Sequence, residues 1–112
     1  KGFYVVDTRG VRADTLSMSA VNTISRSHYP KGFTLEAITQ GNVPVQSVAF
    51  LVNKVHVRTE RLPRWSLTGD HKNYWAPWRG YKKDHLMRVR AKPWAKRAAK
   101  HYSRAVQIRV VD

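Results

Sequence analysis

Basic residues at every second position of an apolar stretch are the first candidates for chemistry in this chain. In residues 85–91, Arg88 and Arg90 alternate with Met87, Val89 and Ala91; in residues 104–111, Arg109 alternates with Ile108 and Val110. A period of two puts each set on one face of a strand. These segments are expected to be the last two strands and to pair antiparallel, so that Arg88, Arg90 and Arg109 point outward on one sheet. Guanidinium forks match sulfate, phosphate and carboxylate. Like charges on neighbouring strands repel, so such a cluster is easier to explain if an anion regularly fills it than as an ordinary solvated face.

Two further groups carry cations beside rings. Lys92, Lys96, Arg97, Lys100 and Arg104 fall within thirteen positions, with His101, Trp94 and Tyr102 among them. Rings stack on sugar faces while Lys and Arg take acidic groups, and the same combination suits single-stranded nucleic acid. The alternative is a mobile loop with Trp94 tucked into the core. The second group is Trp65, Tyr74, Trp75, Trp78 and Tyr81, interleaved with Arg64, Lys72, Arg79, Lys82 and Lys83. Trp65 and Trp78 are expected in the core, where rings supply large buried area. Tyr74, Trp75 and Tyr81 are expected at the surface as aromatic contacts. Core and cation–π packing alone would also account for this group.

Other constellations point away from catalysis. Arg58, Glu60 and Asp70 read as structural, with Arg58 paired to an acid and Asp70 capping the turn after Gly69. His28, His56, His71, His85 and His101 show no metal-ligand spacing. There is no Gly-rich phosphate loop, no Gly-x-Ser-x-Gly and no carboxylate pair at a reactive spacing. The chain has no cysteine, which excludes disulfides and thiolate chemistry. The expectation is a protein with no catalytic residue, no metal and no cofactor.

The elements that must position these residues are strands. Period-two alternation with one apolar face runs through Phe3, Val5 and Asp7; Phe33, Leu35 and Ala37; Val48, Phe50 and Val52; Met87, Val89 and Ala91; and Val106, Ile108 and Val110. A shorter strand is expected within residues 16–24. Turn signals separate them: Arg9-Gly10, Tyr29-Pro30-Lys31-Gly32, Gln40-Gly41-Asn42, Gly69-Asp70 and Arg79-Gly80. Residues 94–101 are rich in Ala and Lys and are expected to form a loop with a helical turn. The reading is one all-β domain over residues 1–112, an antiparallel β-sandwich of about seven strands with a basic loop before the last one.

Charge separates the partner classes. The 112 residues carry 21 Lys and Arg against 7 Asp and Glu, a net charge of +14. Residues 1–57 hold six basic and three acidic side chains, net +3; residues 58–112 hold fifteen and four, net +11. Concentrated charge of this sign favours a polyanionic partner. No apolar run reaches the roughly 20 residues of a membrane span. The start at Lys1, without Met, is that of a mature protein or an excised piece.

Residues 45–112 resemble an immunoglobulin-like β-sandwich module of large secreted or cell-surface proteins. The likeness is carried by Ser47-Val48-Ala49-Phe50, then Arg58-Thr59-Glu60, then Leu67-x-Gly69-Asp70, then Tyr74 and Trp78, with strands at 85–91 and 106–112. The opening Phe3-Tyr4-Val5-Val6-Asp7 and the 33–39 strand fit the first half of such a module more weakly. Two departures are the long basic segment 92–102 and the arginines at 88 and 90. The resemblance implies a secreted, extracellular binding or structural module rather than an enzyme, and it implies no particular ligand. Together with the charge it leads to one expectation: recognition of an acidic or sulfated polysaccharide, or an acidic glycoprotein coat, by salt bridges and ring stacking. The alternatives are a self-associating structural subunit of a matrix, coat or filament and, behind it, nucleic-acid binding. Membrane disruption and enzyme activity have the least support.

Overall fold

The computed structural model describes residues 2–39, 45–61, 64–71, 74–94 and 104–112, with Asp70 and His71 described by their backbone alone. Among these residues ten strands follow in chain order: β1 Gly2–Asp7, β2 Arg12–Thr15, β3 Val21–Ser25, β4 Phe33–Ile38, β5 Ser47–Val52, β6 Val55–Glu60, β7 Asp70–His71, β8 Tyr74–Trp75, β9 Leu86–Trp94 and β10 Val106–Val111. A single 3-10 turn, Arg26–His28, is the helical element among the described residues. Two sheets pack as a sandwich: three strands in the order β2-β1-β4 and five in the order β3-β10-β9-β5-β6, with β7-β8 a small separate ribbon. The five strands expected from alternation are β1, β4, β5, β9 and β10, and the short one within 16–24 is β3, which runs on to Ser25.

The alternation decides what faces the core. Phe3 and Val5 from β1 and Phe33, Leu35 and Ala37 from β4 meet Val48 and Phe50 from β5, Met87, Val89 and Ala91 from β9, and Val106, Ile108 and Val110 from β10. Burying such a side chain contributes about 1.5–3 kcal/mol each. Trp65 and Trp78 join this cluster as expected. Asp7, the last residue in the β1 alternation, instead closes the β1–β2 turn, its carboxylate accepting from the amides of Arg9 and Val11 at 2.9 and 3.0 Å.

The last two strands pair antiparallel, with Gln107 opposite Arg88 and Ile108 opposite Met87. On its other edge β10 pairs in parallel with β3, Arg109 lying beside Thr23. β9 lies between β10 and β5, with Ala49 opposite Lys92 and Leu51 opposite Arg90. Pro93 is tolerated in this central strand because the β10 register ends at Val89, leaving Pro93 paired to Val48 of β5. β5 and β6 are joined by Asn53 and Lys54, both at positive φ (50° and 70°), as a two-residue type I′ hairpin turn requires.

The small sheet is covered on its second face as well. Val6, Thr34 and Glu36 are buried there. The chain at 65–67 runs along the free edge of β4: the Ala37 amide donates to the Trp65 carbonyl at 2.8 Å, and the Leu67 amide to the Leu35 carbonyl at 2.9 Å. The turn expected at Gln40-Gly41-Asn42 and the basic loop with its helical turn before β10 lie outside the described residues.

Candidate functional site

The pleat of β9 fixes the central feature. Met87, Val89 and Ala91 are buried, so Arg88, Arg90, Lys92 and Trp94 project from the opposite face. A rise of roughly 3.4 Å per residue sets these side chains about 7 Å apart along one row. On β10 the same face carries Gln107, Arg109 and Val111, and Arg109 sits diagonally across from Arg88. The outward positions of the flanking strands are Ser47, Ala49 and Leu51 on β5 and Val21, Thr23 and Ser25 on β3. None of these positions is acidic.

Three acidic residues are engaged in ion pairs elsewhere. Glu36 and Asp112 each hold two cations, and Glu60 holds Arg58 at 3.3 Å. Arg88, Arg90 and Arg109 have no ion pair among the described residues. Arg88 and Arg109 are exposed, whereas Arg90 and Lys92 are half-buried, opposite Leu51 and Ala49 of β5. Trp94, 39% exposed, ends the row opposite Ser47. The face can therefore bind an extended anion through a line of donors and stack one ring against its end.

The remaining sequence candidates distribute differently. Arg104 is exposed just before β10. Lys96, Arg97, Lys100 and Tyr102 lie outside the described residues. Tyr74 is 47% exposed, but on the β7–β8 ribbon, which is tied to the β1–β2 turn by the Trp75 amide donating to the Thr8 carbonyl. Trp75 corrects the expectation of a surface ring. It is buried, with the Arg64 guanidinium 4.4 Å above its ring, because the segment that carries it folds over the outer face of the small sheet. Tyr81 is half-buried and stacks on Phe33 at 5.9 Å, so its ring faces a neighbour more than solvent.

Arg58 pairs with Glu60, as the structural reading expects, while the side chain of Asp70 lies outside the description. Arg58 also packs its guanidinium against Gly69, where φ of +84° favours glycine. Among the described residues no group of three His, Asp or Glu could hold a metal ion, and no helix is long and apolar enough to cross a membrane.

Nothing in the sequence marks Glu36, which falls on the polar phase of its strand. It is 3% exposed and accepts four hydrogen bonds of 2.8–3.0 Å, two from Arg12 and two from Arg64. Arg12 in turn lies 4.6 Å over the Tyr4 ring. This ladder of ring, guanidinium, carboxylate, guanidinium and ring is internally satisfied and holds the 64–75 segment on the small sheet. Comparison with protein-family models, with curated proteins and with solved structures finds no match to this chain.

Proposed function

We propose that this chain is a non-catalytic, secreted binding module for an anionic polymer, an acidic or sulfated polysaccharide or an acidic glycoprotein coat. The observation that carries this reading is the outer face of β9 and β10. Arg88, Arg90, Lys92 and Arg109 share it, and its outward positions hold no acid among the described residues. Arg88, Arg90 and Arg109 so placed repel one another, and a polymer that threads along the row relieves that repulsion. Trp94 at the end of the row supplies a stacking surface. The succession β10-β9-β5-β6, flanked by a β3 parallel to β10, supports the likeness to immunoglobulin-like modules, whose sheets carry their last strands beside the third.

The test compares elution from heparin with elution from a sulfonate cation exchanger. The wild-type protein is expected to need clearly more salt to leave heparin, and the double variant Arg88→Glu/Arg90→Glu to lose that difference. Equal elution of the wild type from both columns, or a double variant that behaves like the wild type, would refute the reading.

One observation favours the self-associating alternative. Among the described residues β6 is a sheet edge, and its Val55 and Val57 are 64% and 50% exposed. An apparent molar mass from light scattering that rises with protein concentration in the absence of any polyanion would support it. A net charge of +14 works against it at low salt.

A further inference from the structure

One end of the sandwich holds a cleft of about 570 Å³ that is separate from the basic sheet face. Its volume lies within the roughly 300–1,000 Å³ of small-molecule sites. Three parts of the chain converge on it: the turn at 29–32, the segment at 77–81, and Arg26 with Asp112. Four rings build the inner wall. Tyr29 packs on Phe33 at 5.4 Å, Phe33 on Tyr81 at 5.9 Å, and Trp78 on Tyr81 at 5.7 Å.

The wall is preorganised. The Gly32 amide donates to the Tyr29 carbonyl at 2.8 Å and the Trp78 amide to the Phe33 carbonyl at 2.6 Å. Gly32 has φ +101°, and a Cβ there would overlap Pro77, so the 29–32 turn is pressed directly onto the second wall. A fixed wall loses little freedom when a ligand settles on it.

The rim is cationic, with one acid. Lys31 and Arg79 are exposed and have no ion pair among the described residues. Arg26 reaches Asp112 at 3.5 Å, longer than a good charge-assisted hydrogen bond, while Lys83 holds the other oxygen of Asp112 at 2.9 Å. Burial, and after it the charges of Asp14 and Asp7, pushes the Tyr29 phenol up, so it stays a neutral hydroxyl at pH 7. The cleft therefore offers guanidinium and ammonium donors, a phenol and ring surface within one concavity.

We infer that this end cleft is a subsite for a single carboxylated sugar unit, such as a uronic acid. The half-buried rings of Tyr29 and Tyr81 meet the C–H face of the sugar, and Lys31 and Arg79 take the carboxylate. The pairing of ring surface with these two cations is the reason for this ligand class. A compact inorganic anion would meet the cations alone, whereas a carboxylated sugar covers the ring surface as well. The inference rests on the proposal that the partner is an acidic glycan, and adds a second, shape-selective contact to the charge-driven one on the sheet.

The experiment is a titration of the 15N-labelled protein with D-glucuronate, with D-glucose and acetate as controls, followed by amide chemical shifts. Glucuronate is expected to shift the amides of residues 29–33 and 78–81 in a saturable way at about millimolar concentration, as a ligand of this size allows. Glucose and acetate are expected to be at least about tenfold weaker, since each lacks one half of the recognition. Arg79→Ala and Lys31→Ala replace exposed side chains, and each should weaken glucuronate several-fold while leaving the remaining spectrum in place.

The Arg88→Glu/Arg90→Glu variant should bind glucuronate like the wild type. Absence of shifts at the cleft, or acetate as effective as glucuronate, overturns the inference. If that happens while the sheet-face variant still loses its hold on heparin, the proposed function stands without the subsite. If glucuronate shifts the cleft but the sheet-face variant keeps its hold on heparin, the subsite stands and the sheet-face reading falls.

Discussion

A carboxylate that is 3% exposed needs its charge met at close range, and Glu36 has two guanidinium forks on it. Burial alone would push its carboxyl up. The hydrogen bonds and charges of Arg64 and Arg12 outweigh that and hold it below the ordinary value of 4.5. A carboxyl depressed in the folded state adds stability that is fully present above its unfolded value and is lost as the pH falls through the folded one. Glu36→Gln should therefore cost about 1–2 kcal/mol at pH 7, since four charge-assisted hydrogen bonds are weakened while the guanidiniums left behind, 49% and 37% exposed, can be rehydrated. Urea denaturation of both proteins from pH 7 to pH 3 should show the gap closing in acid. A gap that stays constant with pH would mean that packing, and not the ion pairs, is what the glutamate contributes. Arg64 is expected to matter for a second reason, because it joins Glu36 to the Trp75 ring and so anchors the β7–β8 ribbon.

Among the elements, the β5–β6 hairpin is the one whose turn chemistry departs furthest from preference. Asn53 and Lys54 both adopt positive φ; asparagine tolerates this, whereas lysine carries a Cβ penalty of roughly 1 kcal/mol. Lys54→Gly should raise stability by up to about 1 kcal/mol, seen as a Tm higher by a few degrees in a calorimetric scan. No change would mean that the lysine side chain offsets the penalty through a contact. The same turn explains part of what was legible in the sequence. β1, β4, β5, β9 and β10 have one apolar face each and announce themselves by alternation. Asn53-Lys54 lacks the glycine that would have marked a hairpin, and β6 with it. β2, Arg12–Thr15, is exposed along its whole length and is a strand only because β1 lies beside it. The arginine row of β9 was legible because one strand carries it. That the neighbouring strands bring no acid to it depends on register and on the parallel β3–β10 pairing, which are long-range facts. Glu36 and Trp75 were misleading for a related reason: their polar or surface phase is covered by a segment distant in sequence.

At the scale of the whole molecule the question is whether the charge acts by its amount or by its placement. The protein measures 43 × 31 × 21 Å, and the Debye length falls from about 30 Å at 0.01 M salt to about 8 Å at 0.15 M. At the lower salt the charges repel across most of the body, so the Tm should rise as salt is added. A bound polyanion also stabilises, by about 2.7 kcal/mol at a hundred times its Kd, but that gain should fall with salt as counterion release weakens. Arg88→Glu and Arg9→Glu each change the net charge by −2, from +14 to +12. Arg9 is exposed at the β1–β2 turn of the other sheet, whereas Arg88 stands in the β9 row. If only the amount of charge counts, heparin at low salt should stabilise the two variants equally. Placement on the sheet predicts that the Arg9 variant keeps most of the wild-type rise in Tm and the Arg88 variant loses a clearly larger part of it. The comparison holds net charge fixed, so a difference between the two can come only from where the cations stand.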